Sequence, residues 1–193
     1  MANADTPRGA WPIRHLTGGT IRASEHTIAS TFATNIFRGD FVKLVAGGGI
    51  EDADAGDRLL GVFQGVEYTD GAGNVVFSKY WPASTTATNI KAYVYDDPMI
   101  VFGIQSAGST VAADVGTLAD HVAGAGSTST GLSAHEINGT TATASAGLRV
   151  LGAQGNPDNA WGTNVNLEVL VYEHEYGTLD GGADITTPAT PGV

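Results

Sequence analysis

Between Leu59 and Gln105 the chain reads LLGVFQGVEYTDGAGNVVFSKYWPASTTATNIKAYVYDDPMIVFGIQ, a series of short apolar runs each closed by turn residues. Val, Ile, Phe, Tyr and Trp dominate the runs, the residue types that suit a pleated, half-buried surface. Thr69-Asp70-Gly71-Ala72-Gly73-Asn74 interrupts the first pair, and its glycines tolerate the positive φ that tight turns need. The spacing therefore predicts an antiparallel hairpin of Val62–Tyr68 and Val75–Trp81. Asp96-Asp97-Pro98 makes a second sharp break, between Ile90–Tyr95 and Met99–Gln105, with the Asp side chains as turn initiators.

The same grammar extends in both directions. Asp40–Val45 reads as a strand ended by Gly47-Gly48-Gly49, and Leu148–Ala153 and Thr140–Ala144 read as short strands. Val165–His174 is the clearest strand, with Val165, Leu167, Val169 and Val171 on one face and Leu170 breaking the alternation. Thr110–Ala113 reads as a further strand, Asp114–Val122 as one or two helical turns, and Gly124–Gly131 as an exposed loop. The expected fold class is all-β, a compact β-barrel or β-sandwich. Residues 1–38 are expected to form an extended N-terminal arm, 39–176 the β-rich body and 177–193 a flexible tail of Gly, Thr, Pro and Asp.

Charge is unevenly distributed along the chain. Its net value is −11, yet residues 1–38 carry Arg8, Arg14, Arg22 and Arg38 against Asp5 and Glu25, a balance of +2. The acidic remainder repels phosphate backbones, so no nucleic-acid partner is expected. No apolar run approaches the ~20 residues that span a bilayer, and the polar opening lacks the apolar segment of a secretion signal. A product made in the cytoplasm, without a membrane partner, is the expectation. There is no cysteine, so neither disulfides nor thiolate metal sites contribute.

No residue pattern points to catalysis. The histidines His15, His26, His121, His135 and His174 include no i, i+2 or i, i+4 pair of the kind that holds zinc. Glu51-Asp52-Ala53-Asp54-Ala55-Gly56-Asp57 begins like a calcium loop, but Ala55 stands where an Asp or Asn ligand belongs and no distal glutamate follows. It reads as a solvated acidic turn. Glu173-His174-Glu175 reads as the exposed end of the last strand. No G-x-S-x-G elbow occurs. The expectation is a non-enzyme with no cofactor and no metal. Trp11, Ile13, Arg14 and Arg22 are the candidate partner-binding residues, because an aromatic anchor among cations in a polar segment must dock on something.

Several segments resemble small virion proteins of tailed bacteriophages. They are Gly39-Asp-Phe-Val-Lys-Leu44, Ala55-Gly-Asp-Arg-Leu-Leu-Gly-Val-Phe-Gln-Gly65, Tyr80-Trp-Pro-Ala83, Ala92-Tyr-Val-Tyr-Asp-Asp-Pro98, Gly131-Leu-Ser-Ala134 and Leu148-Arg-Val-Leu-Gly152, with Glu168-Val-Leu-Val171 closing the pattern. The likeness spans roughly residues 36–174 and is greatest to capsid decoration, or cement, proteins. It implies a β-rich homotrimer on the capsid exterior, bound to the major capsid protein, with no catalytic residue to carry over. Two other readings stand beside it. One is a head–tail or tail subunit; the other is a β-barrel module for a carbohydrate or small ligand, with Trp81 and Trp161 lining its site.

Overall fold

The computed structural model describes residues 3–139 and 146–177. In chain order the strands are β1 (Trp11–His15), β2 (Ser24–His26), β3 (Ile36–Phe37), β4 (Phe41–Leu44), β5 (Ile50–Asp52), β6 (Gly61–Asp70), β7 (Val75–Ser78), β8 (Tyr80–Trp81) and β9 (Ala87–Tyr95). They continue with β10 (Ile100–Gln105), β11 (Ser109–Thr110), β12 (Leu118–Ala119), β13 (His121–Val122), β14 (Glu136–Ile137), β15 (Leu148–Ala153), β16 (Gly162–Thr163) and β17 (Asn166–Val171). The protein is all-β, with one 3-10 turn at Ala112–Asp114 among the described residues.

Two antiparallel sheets carry the body. One runs β1-β10-β17-β15-β12; the other runs β2-β9-β6-β4-β5, with β7 hairpinned onto β6. Three two-stranded ribbons, β3-β8, β11-β16 and β13-β14, flank them, and no sheet among the described residues closes on itself. The expected hairpin forms over Val75–Ser78, where Val66 pairs with Ser78 and Thr69 with Val75, while Tyr80–Trp81 leaves it to pair with β3. Its turn is held by Asp70, whose Oδ1 accepts from Ala72 N–H at 2.9 Å and Asn74 N–H at 2.8 Å.

The main hydrophobic cluster joins both sheets. Phe41 and Val62 of the six-stranded sheet pack with Ile100, Phe102, Leu148 and Val169 of the five-stranded one. A second cluster, around Trp81, Phe63, Val66 and Val94, contains Ile28 and Ile36 as well. Each fully buried Phe or Ile contributes about 1.5–3 kcal/mol relative to exposure, so these contacts, not any covalent staple, hold the fold.

The described part of the expected arm, residues 3–38, is woven into the body through three strands. β1 pairs with β10, β2 with β9 and β3 with β8. The reason lies in β10, whose six residues are all buried and which needs a strand on each side. Pro12 is tolerated there because β1 is an edge strand, and the register shifts between Pro12 and Arg14. Gly103 of β10 faces Trp11, and a Cβ there would overlap both the indole and the Gln154 amide.

Three further expectations change. The acidic run after Gly49 is not wholly a turn: Ile50–Asp52 is β5, paired with β4, because Ile50 is fully buried and draws its neighbours into the ladder. The expected helical turns of 114–122 give way to β12 and β13, since Leu118 and Ala119 extend the sheet beside β15. His174 is buried, and its backbone bridges Leu59, so Glu173–Glu175 is not a free strand end. The strand expected over 140–144 and all but the first residue of the tail expected over 177–193 lie outside the described residues.

Candidate functional site

Two cavities lie on either side of the segment that joins β3 to β4. The first, about 590 Å3, is lined by Thr34, Asn35, Phe37, Asp40, Asp52, His135 and the loop 123–128. At its inner end Asp40, Asp52 and His135 place one potential ligand atom each within 4.8 Å of the others. Asp40 sits just before β4, and its Oδ2 accepts from Phe37 N–H at 2.6 Å. Asp52 ends β5, which brings it beside Asp40 across the ladder. His135 Nε2 stands 3.4 Å from Asp40 Oδ1 and 3.6 Å from Asp52 Oδ1.

The electrostatics follow from burial. Desolvation pushes the Asp40 carboxyl up to about 6, against hydrogen bonds from Ser133 and Phe37 that favour the anion. Desolvation, followed by the Asp40 and Asp54 charges, pushes Asp52 up to about 8. His135 is driven down to about 3 by burial and then by His121, whose ring stacks on it at 5.3 Å. Each of these shifts favours the neutral form, so burial works against an ion pair within the group.

Three oxygen and nitrogen donors in this arrangement match a metal in residue type, but the tautomer works against one. His135 Nδ1 accepts the Phe41 backbone N–H at 3.3 Å, which puts the neutral ring's proton on Nε2. A proton, not a lone pair, then faces the two carboxylates. A metal at Nε2 would force an N–H at Nδ1 against the Phe41 N–H. Asp40 Oδ1 and Asp52 Oδ1, which make no hydrogen bond, receive that Nε2–H only at long range.

The second cavity, about 320 Å3, is lined by Arg8, Ala10, Trp11, Arg38 and Leu132. The Arg8 guanidinium lies over the Trp11 ring, 3.9 Å from its centre. Arg38 Nε donates to Gln64 Oε1 at 3.1 Å. Ala10 N–H donates to Gly39 O at 2.8 Å, and Arg38 N–H donates to Gly131 O at 3.1 Å. These backbone bonds fix the N-terminal segment, the β3–β4 link and the 131–133 segment as one wall. No family model, curated protein or solved structure matches the chain.

The expected partner residues separate. Trp11 lines the Arg8–Arg38 cavity; Arg22 lines another, with Thr20, Ser24, Asp96 and Asp97. Ile13 is 36% exposed, and Arg14 pairs with Glu168 Oε2 at 3.0 Å. Arg8, Arg38 and the Asp40–Asp52–His135 group escaped sequence reasoning because their members are distant in the chain and meet only through the ladders. Trp81 is fully buried, edge-on to Tyr68 at 5.4 Å, so it cannot line a sugar site; Trp161 is 38% exposed.

The Asp96-Asp97 pair does more than start a turn. Asp97 Oδ1 accepts from Met99 N–H at 2.8 Å in the expected turn geometry. Its Oδ2 lies 3.1 Å from His15 Nε2. Asp96, 8% exposed, accepts from Ser24 Oγ at 2.8 Å, His26 Nε2 at 3.1 Å and Tyr176 Oη at 3.1 Å. Burial raises its pKa, but the bonds from His26, Ser24 and Tyr176 outweigh that, and the net shift is downward.

Proposed function

We propose that the protein is a structural virion component that binds the outside of a phage capsid and stabilises contacts between neighbouring capsomers. The observation that carries the reading is the run of strand-entry segments over residues 36–174 that resembles capsid decoration proteins. The physical character of the body supports it. A multi-sheet β-body whose core joins both sheets, with an acidic overall charge, suits a stiff part that avoids DNA. On this reading the two main sheets form a sandwich. The major capsid protein is the partner, and the working unit is a homotrimer on the capsid exterior.

The N-terminal segment is the proposed contact. β1 is an edge strand carrying exposed Ile13 and Arg14, and Leu16 and Arg22 beyond it are exposed as well. An edge strand leaves backbone donors and acceptors open to a neighbouring chain. The test is co-sedimentation of the purified protein with emptied heads of the phage that encodes it, with light scattering for the free protein's mass. Saturable binding at a fixed ratio to the capsid subunit and a threefold mass are the expected results. Heads that take up none of the protein would overturn the reading.

A further inference from the structure

We propose that the cavity between Arg8, Trp11, Arg38 and Leu132 is a docking site for an acidic peptide segment of the protein's partner, carrying a carboxylate beside an apolar side chain. The inference rests on the proposed contact role of the N-terminal segment and names the chemistry that this contact selects.

Charge complementarity carries the argument. The chain as a whole is acidic, and of the four arginines in residues 1–38, Arg14 is paired with Glu168 and Arg22 lines a cavity that Asp96 and Asp97 also line. Arg8 and Arg38 alone converge on one cavity, and neither has a carboxylate partner among the described residues. Trp11 covers one face of the Arg8 guanidinium, which fixes its plane and leaves its N–H edge for a ligand. A planar, held guanidinium is suited to two-point binding of a carboxylate. Arg38 is braced through Nε by Gln64, which leaves its terminal nitrogens for the same purpose.

The rest of the cavity selects the neighbouring group. Ala10 and Trp11 supply an apolar wall, and Leu132 is 37% exposed at its rim. The volume, about 320 Å3, lies at the low end of the ~300–1,000 Å3 of ligand pockets, which suits one side chain and its charged neighbour rather than a large cofactor. The site is also rigid, because the backbone bonds from Ala10 to Gly39 and from Arg38 to Gly131 lock its walls together. Little ordering is then needed on binding.

The experiment is calorimetric titration of the full-length protein with an acetylated, amidated peptide of two glutamates flanking a leucine. The controls are the same peptide with glutamines and the Arg8→Gln, Arg38→Gln double variant. The glutamate peptide is expected to bind at least about tenfold more tightly than the glutamine peptide, from the loss of one charge-assisted contact. The double variant should lose the same factor while keeping its circular dichroism spectrum. If that variant fails to fold, the exposed Arg8→Gln change alone must still weaken binding severalfold. Equal binding of the two peptides, or tighter binding of an oligonucleotide, would overturn the proposal. Self-association abolished by the double variant would do so too, in favour of a second copy. Peptide binding without uptake onto heads would refute the capsid reading and leave the site standing; uptake without peptide binding would do the reverse.

Discussion

Replacing Asp96 by Ala removes one carboxylate that ties three distant segments together. Its three donors come from Ser24, His26 and Tyr176, so a single side chain closes loops of 72, 70 and 80 residues. Hydrogen bonds to a charged group contribute about 1.5–3 kcal/mol each, and an orphaned buried partner costs a similar amount. Ser24 is exposed and Tyr176 is 50% exposed, so water replaces those two bonds at a discount. The His26 ring, 12% exposed, has no such replacement. One bond at full value and two at a fraction give a destabilisation of about 3 kcal/mol. For a chain of this size that corresponds to a fall in Tm of roughly 6–12 °C. Urea unfolding should show a lower midpoint with an unchanged slope. The pH profile supplies an independent check. Because the folded carboxyl titrates below its ordinary value, acid protonates the unfolded chain first. The contribution is present above about pH 4 and is lost as the pH falls through the folded value. Asp96→Ala should therefore differ most from wild type at neutral pH and least in acid. A loss below about 1 kcal/mol, within the range of an ordinary surface contact, would refute the account of Asp96 as a tie. A difference that stayed constant down to acid would refute it as well.

Removal of residues 1–20 strips the Trp11 edge from β10 and should lower stability by at least about 3 kcal/mol, the scale of one half-buried aromatic plus its ladder; an unchanged melting midpoint would return this segment to the status of an arm. Asp52→Asn should stabilise the protein increasingly as the pH rises from about 4 to about 8. The folded group, at about 8, holds its proton long after the unfolded one has lost it, so wild-type stability falls across that window. Urea midpoints at each pH check this, with a total gain of at least about 1 kcal/mol expected at the alkaline end, far below the nominal ~1.4 kcal/mol for each unit of the window because the open cavity admits screening water. Excess Zn2+ or a chelator should leave the melting midpoint unchanged. A shift of several degrees would show that His135 gives up its Nε2 proton to a metal.

Strands whose pattern is local were readable from the sequence. Val165–His174 alternates apart from Leu170 and its strand forms over Asn166–Val171, and the 69–74 turn forces a hairpin whose second strand ends at Ser78. Leu148–Ala153 matches to the residue. What was not readable depends on distance. Ile50–Asp52 looks like part of an acidic turn until Val42 and Lys43 are placed beside it. Trp11 looks like a free anchor until Gly103 opens a slot for it 92 positions along the chain. The Asp40–Asp52–His135 group and the Arg8–Arg38 cavity have the same origin, since neither has a spacing signature. Even the turn residues Asp96 and Asp97 were legible only in their local role. The donors that fill their remaining lone pairs come from segments up to 82 residues away.

The strand order of the five-stranded sheet bears on how the molecule is made. β17 lies between β10 and β15, and β1 lies outside β10. Among the described residues a chain leaving the ribosome offers β1 first, yet its ladder partner there is some 90 residues behind it, and the centre of the sheet, β17, is the last described strand to emerge. At roughly 5–20 residues per second, about eight to thirty seconds separate β1 from β17. For the later part of that interval β10, and more briefly β15, wait for the strand that lies between them, and the apolar face of each is open to other nascent chains. Topologies dominated by such distant pairings fold slowly. Completion of the sheet thus waits on the emergence of β17, and yield in the cell should depend on synthesis rate and chaperone supply more than on the stability of the finished fold.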